Sequence, residues 1–540
     1  MNYLSFSSGT LEKQSLYTLQ YKKEGMFTWV AKKLPLGIVE AFNRFMLKDY
    51  SRTLKFITSA DPDMLQSIGA KKAIKIFKHA EKNVPAYHSF CLKNKVYSTE
   101  IKTEADFNSL VPITEKKNYI KRYSLQDRCQ NGRFPQHGNI DESGGTSGKP
   151  SNWIRSVQEN ELILQIAKFE FEYVYNISNK NIIVLSAWST GPWATGIKFC
   201  QLMQNYALVK STGTSIQNIE ETLQTFGAEQ EYILAGYPPF LKKFLDETKL
   251  NLKSYKIHLL TGGEGISLEW KEYFKKKLSK DAIIISSYGA SDIDIGIGFE
   301  TPFAQLIREA CQKNEALKQK LFGHVPTIPM LFQYNPLLHY ITQTYNKEEA
   351  KNEFVITLCD KNVASPKVRY NLHDEGGVFT FKEMQQILQT HAPDFVEKYK
   401  EMYVRWPILK LPFLYVAGRT DGTISVDGAN VYPAQVEAGI LSVKELEKKT
   451  NSFLLYKATM KKQDLKLTIA IELKEKVATG KALQKKFHDA ILKKLLELNP
   501  DFRESYKYNK ALCDPQIILH KHNAKLFADN EERVKEKYIV

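Results

Sequence analysis

The chain has 540 residues, 43% of them hydrophobic and 12% aromatic, which is enough for large buried cores and roughly three to four domain-sized units. Its net charge of +16 runs through lysine-rich faces such as Lys275-Lys276-Lys277 and Lys461-Lys462. With no zinc finger, basic zipper or ribonucleoprotein aromatic motif, that charge points to solubility and attraction for anionic small molecules, and no nucleic-acid partner is expected. Six cysteines lie far apart without a Cys-x-x-Cys spacing, which argues against a zinc site or disulfide framework and fits a reducing, cytoplasmic setting.

The sequence opens without a basic-then-apolar leader, and no run of about eighteen apolar residues is free of charge. The segment 26–47 comes nearest. It mixes Phe27, Trp29, Val30, Leu34, Leu36, Ile38, Phe42, Phe45 and Met46 with Lys32, Lys33 and Arg44. The pattern suits a helix packed on a domain core, and it also permits peripheral contact with an anionic membrane.

Ser143-Gly144-Gly145-Thr146-Ser147-Gly148-Lys149-Pro150 is the most informative stretch. Glycines let backbone N–H groups turn toward an anion, hydroxyls add donors, and lysine supplies a point charge, so the loop reads as a polyphosphate cradle. A flexible glycine–serine linker is the competing reading. It is not a Walker A loop: Ser143 stands where that motif has its first glycine, and Pro150 follows Lys149 where Ser or Thr belongs.

From 181 to 289 short buried-strand runs alternate with helix-like segments, the pattern of a parallel sheet covered by helices. The runs are Ile182-Ile183-Val184-Leu185, Tyr232-Ile233-Leu234-Ala235, Ile257-His258-Leu259-Leu260 and Ile283-Ile284-Ile285. They end in Ser189-Thr190-Gly191-Pro192-Trp193, Gly236-Tyr237-Pro238-Pro239, Thr261-Gly262-Gly263-Glu264 and Tyr288-Gly289-Ala290-Ser291-Asp292. Ligands of open α/β sheets bind beyond the carboxyl ends of the strands, so four such loops imply one cleft.

After Gly418 the reading changes to a small α+β domain. A short strand at 424–426, a turn at Asp427-Gly428 and a helix from Pro433 are followed by a strand at 453–456 and an alternating one through Leu465, Leu467, Ile469, Ile471 and Leu473. An amphipathic helix carrying Leu483, Phe487, Ile491 and Leu495 stops before Asn499-Pro500. The boundary falls between a large domain, 1–418, and a small one, 419–540.

Taken together, the motifs resemble those of the adenylate-forming (AMP-binding) superfamily of acyl-CoA synthetases, most closely its phenylacetate-CoA ligase branch. The resemblance covers nearly everything from Ala73 onward. It rests on the order of Val84-Pro85-Ala86-Tyr87, Leu110-Val111-Pro112-Ile113-Thr114 with Lys116, the glycine-rich loop, Gly262-Gly263-Glu264, Tyr288 to Asp292, Arg369-Tyr370 through Asp374, and Gly418-Arg419-Thr420-Asp421 through Asp427-Gly428-Ala429-Asn430-Val431-Tyr432-Pro433 to Glu437. It implies an α/β fold: a large N-terminal domain of parallel sheets covered by helices, and a small, mobile C-terminal lid.

The resemblance further implies ATP and Mg²⁺ as cofactors, with coenzyme A as acyl acceptor. The glycine-rich loop, Ser143, Gly144, Gly145, Thr146, Ser147, Gly148 and Lys149, would hold the β and γ phosphates. Gly262, Gly263 and Glu264 would border the adenine, and Tyr288, followed by Gly289, would stack on it. Ser291 stands where the family usually has threonine beside the α-phosphate, and Asp292 where it usually has a metal-placing glutamate. Asp374 would accept the ribose hydroxyls, Arg419 would act near the ribose or phosphate, and Asp421 would be the hinge. The family's Arg-Tyr-x-Thr-Gly-Asp reads Arg369-Tyr370-Asn371-Leu372-His373-Asp374 here, so the Thr-Gly pair is lost.

The implied reaction is attack of a carboxylate on the α-phosphorus of ATP, expelling pyrophosphate and leaving an acyl-adenylate for transfer. An amine or sugar acceptor is the alternative to coenzyme A, and a non-catalytic nucleotide-binding relative is a third reading. The family's catalytic lysine lies near the end of the small domain, usually after a glycine. No Gly-Lys occurs there, and Lys525 and Lys535 are the candidates. Trp188, Trp193, Tyr237 and Ile295 are expected to line the acyl pocket, where aromatic walls suit an aryl or medium-chain acid.

Overall fold

The computed structural model describes residues 35–143, 151–190, 195–325, 328–347, 349–395, 398–399, 406–419, 424–459 and 465–530. Two short antiparallel strands, β1 (Gly138–Ser143) and β2 (Ser151–Ser156), pair in register with Ser143 opposite Ser151. The glycine-rich segment therefore joins the paired ends of a hairpin, although 144–150 itself lies outside the described residues.

The sequence from 182 to 290 folds as anticipated, with one strand more. β3 (Ile182–Ser186), β5 (Glu231–Gly236), β6 (Lys256–Gly262) and β7 (Ile284–Ala290) are neighbours, all parallel, and β4 (Leu208–Ser211) adds a parallel edge beside β3. β3, β5 and β6 are buried almost throughout, as strands covered on both faces must be. Beyond β7 the sheet turns antiparallel through β8 (Asp294–Phe299), β9 (Met330–Gln333), β10 (His339–Asn346), β11 (Lys351–Leu358), β12 (Tyr370–Phe379) and β13 (Phe413–Arg419). The eleven strands run in the order β10-β11-β12-β13-β9-β8-β7-β6-β5-β3-β4.

Arg419 is the last residue of β13, and the small unit begins at a hairpin of β14 (Ile424–Val426) and β15 (Ala429–Val431). β16 (Thr450–Thr459) pairs antiparallel with β17 (Leu465–Leu473), and β18 (Gln516–His520) adds in parallel to β17. The helix Lys481–Leu498 lays Phe487, Ile491 and Leu495 onto this three-stranded sheet in a core of its own.

Three side chains hold the middle of the large sheet. Glu300 is fully buried, salt-bridged to Arg308 at 2.8 Å and to Lys271, and it also accepts from the Ser286 N–H at 3.1 Å. The two cations hold its carboxyl below the usual range against the opposing effect of burial.

Of the segment 26–47, only 35–47 is described. The helix Leu36–Leu47 buries Asn43 and Leu47 and leaves Ile38, Phe42 and Phe45 about half exposed. Among the described residues no helix is long and apolar enough to cross a membrane, and none of the six cysteines is in a disulfide.

Candidate active site

The parallel strands end at a cleft of about 1160 Å³ that runs between the large sheet and the small unit. That volume suits a nucleotide with an additional organic group. The loops after β3, β5, β6 and β7 all reach it, through Trp188, Tyr237, Gly263 and Asp292, and Tyr288 reaches it from inside β7, not from the following loop expected from the sequence.

Asp374 is the best-anchored carboxylate in the cleft. It lies inside β12 directly opposite Arg419 on β13, so the ladder register sets the two side chains together. Arg419 Nη1 lies 3.3 Å from Asp374 Oδ1, and its Nη2 donates to the Leu372 carbonyl at 2.9 Å. The Tyr288 hydroxyl, arriving from β7, donates to Asp374 Oδ2. Burial, and then the Asp374 charge, push that phenol well above its ordinary range, so it remains a proton donor. The Tyr288 ring stacks on Phe332 at 5.6 Å between centroids.

The backbone before Asp374 explains the lost Thr-Gly. His373 adopts a left-handed conformation, φ 62°, where a glycine would be at ease. The imidazole compensates by lying 3.0 Å from Glu115 and 3.4 Å from Glu353. Burial opposes its charge, yet the two carboxylates raise its pKa to about 9. Arg369 plays a different part: its Nη1 donates to the Phe107 and Val111 carbonyls, at 3.0 and 2.8 Å, closing the end of the helix Glu104–Leu110.

Asp292 forms a second polar node. Thr114 bridges to Tyr370 as a one-residue extension of the sheet, which delivers Lys116 to the cleft. Lys116 Nζ stands 3.2 Å from Asp292 Oδ2, and the Tyr370 hydroxyl donates to the same oxygen at 2.8 Å. Burial works against the ammonium, but Asp292 and Tyr432 together outweigh it and Lys116 is held above the ordinary lysine value. Ser291 is fixed through its carbonyl, which accepts from Arg155 Nη2 at 2.6 Å. Arg155, on β2, is also bonded to Asp141 at 3.2 Å, so one buried guanidinium ties the glycine-rich hairpin to the β7–β8 turn. Ser143 sits at the hairpin's end, its hydroxyl accepting from Trp153 Nε1 at 3.0 Å.

The glycines are explained by close approach. A Cβ on Gly263, at φ 77°, would lie 2.6 Å from the Tyr237 ring, and one on Gly289 would lie 2.7 Å from the Ile295 backbone. A Cβ on Gly262 would lie 3.1 Å from the Ser287 carbonyl oxygen and 3.4 Å from the Trp188 ring. Glu264 is engaged by the small unit: its Oε1 accepts the Gly428 N–H at 2.9 Å, and its Oε2 pairs with Lys457 of β16. Among the described residues, Lys457, which carries no sequence signature, is the small-unit lysine lining the cleft. Lys525 lies exposed on the turn Lys525–Asn530 and is not among the cleft-lining residues. Gly144, Gly145, Thr146, Ser147, Gly148, Lys149, Trp193, Asp421 and Lys535 lie outside the described residues.

The other end of the cleft is apolar. Trp188, Tyr237 and Ile295, expected at an acyl pocket, are all among the cleft-lining residues; Tyr237 stands beside Gly263 and Gly428, and the apolar lining also includes Phe171, Phe199 and Met203. Trp188 and Tyr237 meet edge to face at 4.8 Å between centroids. Glu170 lines the cleft from the same helix as Phe171.

No protein-family model and no curated protein matches the sequence. Among solved structures, 2-hydroxyisobutyryl-CoA ligase in complex with 2-HIB-AMP and CoA, in its thioesterification state, superposes with TM-score 0.61 at 13% identity, covering 90% of this chain and 91% of that one. Amide bond synthetase McbA from Marinactinospora thermotolerans superposes more weakly, TM-score 0.45 at 11% identity over 81% and 75%. So does the o-succinylbenzoate CoA synthetase MenE from Bacillus subtilis, TM-score 0.42 at 13% identity over 81% and 78%. The fold of this chain is that of the adenylate-forming ligases: a large α/β unit followed by a small C-terminal one.

Proposed function

We propose that the protein is an ATP-dependent carboxylic acid ligase that forms an acyl-adenylate with release of pyrophosphate and passes the acyl group to coenzyme A, as a relative of the phenylacetate-CoA ligase branch. The observation that carries this reading is the Asp374–Arg419–Tyr288 cluster at the strand ends, continuous with an aromatic-walled pocket in one cleft. A fixed carboxylate suits the two ribose hydroxyls, and Arg419 beside it suits developing phosphate charge. Lys116 stands next to the Asp292 node as a second cation for an anionic transition state. The aromatic walls would keep water from a hydrolysable mixed anhydride.

Among the described residues no group of three or more His, Cys, Asp or Glu side chains forms a metal cage. Mg²⁺ typically takes one or two protein carboxylates and completes its shell with phosphates and water, and Asp292 fits that role. Both of its contacts fall on Oδ2, which leaves Oδ1 for a cation among the described residues. Bound there with ATP, Mg²⁺ would neutralise phosphate charge. The protein is read as a catalyst acting on small molecules in the cytoplasm. An amine acceptor in place of coenzyme A is the second reading, because nothing described in the cleft selects a thiol.

The test is pyrophosphate release with ATP and Mg²⁺ across aryl, fatty and amino acids, with and without coenzyme A, and with Asp374→Asn as control. Release stimulated by one acid and lost in the variant is the expected result, and coenzyme A consumption then identifies the acceptor. ATP bound without turnover for any acid would instead support a nucleotide-binding relative.

A further inference from the structure

The helix Val157–Tyr175 carries four glutamates, and three have an evident reason to be there. Glu159 caps the helix start, accepting the Ser156 and Ala364 N–H groups at 2.8 Å each, with Arg155 3.7 Å away. Glu161 is exposed. Glu172 accepts the Ser178 N–H at 2.9 Å. Glu170 has no hydrogen bond or ion pair among the described residues, yet it lines the apolar end of the cleft.

Its surroundings make that position costly. Ile163, Ile166 and Ala167 precede it on the same helical face, seven, four and three residues back, and all line the cleft with it. Phe171, its ring 6.1 Å from that of Phe199, follows it directly in the helix, and Phe299 lines with Glu170 both the cleft and a small second cavity. Glu170 is partly exposed to the cleft, and desolvation by its apolar surroundings, with no neighbouring charge contributing, pushes its carboxyl up to about 8. A lone acid in an apolar wall opposes folding and needs a compensating use. A ligand that brings its own cation would supply the missing partner, and the surrounding aromatic faces are favourable to an ammonium group.

Building on the acid-ligase reading, we propose that Glu170 is a specificity-determining residue and that the carboxylic acid taken by this cleft carries a basic nitrogen at the end distal to its reacting carboxylate. The reacting carboxylate then lies toward Lys116 and Arg419, and the ammonium head toward Glu170. A substrate with an apolar end leaves Glu170 unpaired and loses selectivity for that reason alone.

The experiment compares three near-isosteric acids, para-(aminomethyl)benzoate, para-(hydroxymethyl)benzoate and para-ethylbenzoate, with the matching ω-aminohexanoate, ω-hydroxyhexanoate and heptanoate series. Acid-dependent pyrophosphate release is read for wild type, Glu170→Gln and Glu170→Leu, with calorimetric binding of each acid in parallel. Wild type is expected to favour the amino acid over the apolar one by roughly tenfold or more in kcat/KM. Glu170→Leu should invert that order, its turnover of the apolar acid showing that the variant is folded, and Glu170→Gln should lose the amino preference while keeping the hydroxyl compound within a few-fold. An apolar preference in wild type, or one rank order shared by wild type and Glu170→Leu, overturns the inference and leaves adenylation standing. Absence of release with every acid overturns the adenylation reading, and the binding data then decide Glu170 separately, equal binding of the three heads counting against it.

Discussion

Three acids of the cleft are paired before any ligand arrives: Asp374 with Arg419 and Tyr288, Asp292 with Lys116 and Tyr370, Glu264 with Gly428 and Lys457. At the apolar end Glu170 stands among aromatic and aliphatic side chains with no such partner among the described residues. A paired site exchanges one set of hydrogen bonds for another when ligand binds, so its groups are pre-positioned and the exchange is nearly neutral. An unpaired site gains a partner only from the right ligand. The first arrangement suits a component common to every turnover, and the second suits the component that must be chosen.

The largest effect is expected at Asp374. Asp374→Asn keeps the shape but removes the charge that Arg419 and Tyr288 share, and should cost about 3 kcal/mol, roughly a hundredfold in kcat/KM for ATP, from steady-state pyrophosphate release. The preference among acids should be unchanged. A variant that altered acid selectivity as strongly as ATP use would break the division between the two ends.

His373 gives the next effect, on stability. Its pKa in the folded chain is raised to about 9, so its contribution is complete below pH 6.5 and is lost as pH climbs through 9. Chemical denaturation at pH 6 and pH 9.5 should show a fall on the order of 2 kcal/mol. His373→Asn, which tolerates the left-handed backbone, should flatten it.

Lys457→Ala removes the cation that meets Glu264 across the two units. A loss of about 1 to 2 kcal/mol in the closed arrangement is expected, read as a severalfold slower complete reaction with pyrophosphate release less affected. Equal slowing of both would show that Lys457 acts on the first step instead.

The smallest effect sharpens the polar end itself. Tyr288→Phe deletes one donor to Asp374 while keeping the ring on Phe332, and should cost about 1 kcal/mol in ATP use. A loss as large as that of Asp374→Asn would mean that the hydroxyl is the working group.

The sequence is most readable where function is carried by backbone turns and strand ends. Ile182 to Leu185, Tyr232 to Ala235 and Ile257 to Leu260 are continuous apolar runs, and each is a buried parallel strand. β4 escapes the same reading because Leu208–Ser211 is an edge strand, largely exposed and ending in Lys210 and Ser211. Asp374 is legible through the order of the motifs and not through its neighbours: Asp-Glu-Gly-Gly by itself looks like turn chemistry, but here it is strand with a register shift between Glu375 and Gly376. Lys457 belongs to no motif and acquires its place only when β16 is folded against the other unit. Phe169-Glu170-Phe171-Glu172-Tyr173 alternates like a strand yet is helical, so its two glutamates point in different directions and, among the described residues, only Glu172 meets a partner.

Tyr237 offers a further consequence of the glycine contacts. Gly263 of the large unit and Gly428 of the small one both face its ring, and a Cβ on Gly428 would fall 2.2 Å from it. A flat ring clasped between two bare backbone turns is a joint without interlocking teeth. The ring keeps the two turns apart, while Glu264 beside it ties them together through the Gly428 N–H and Lys457. Adding a single methyl group at Gly428 would turn that smooth bearing into a wedge.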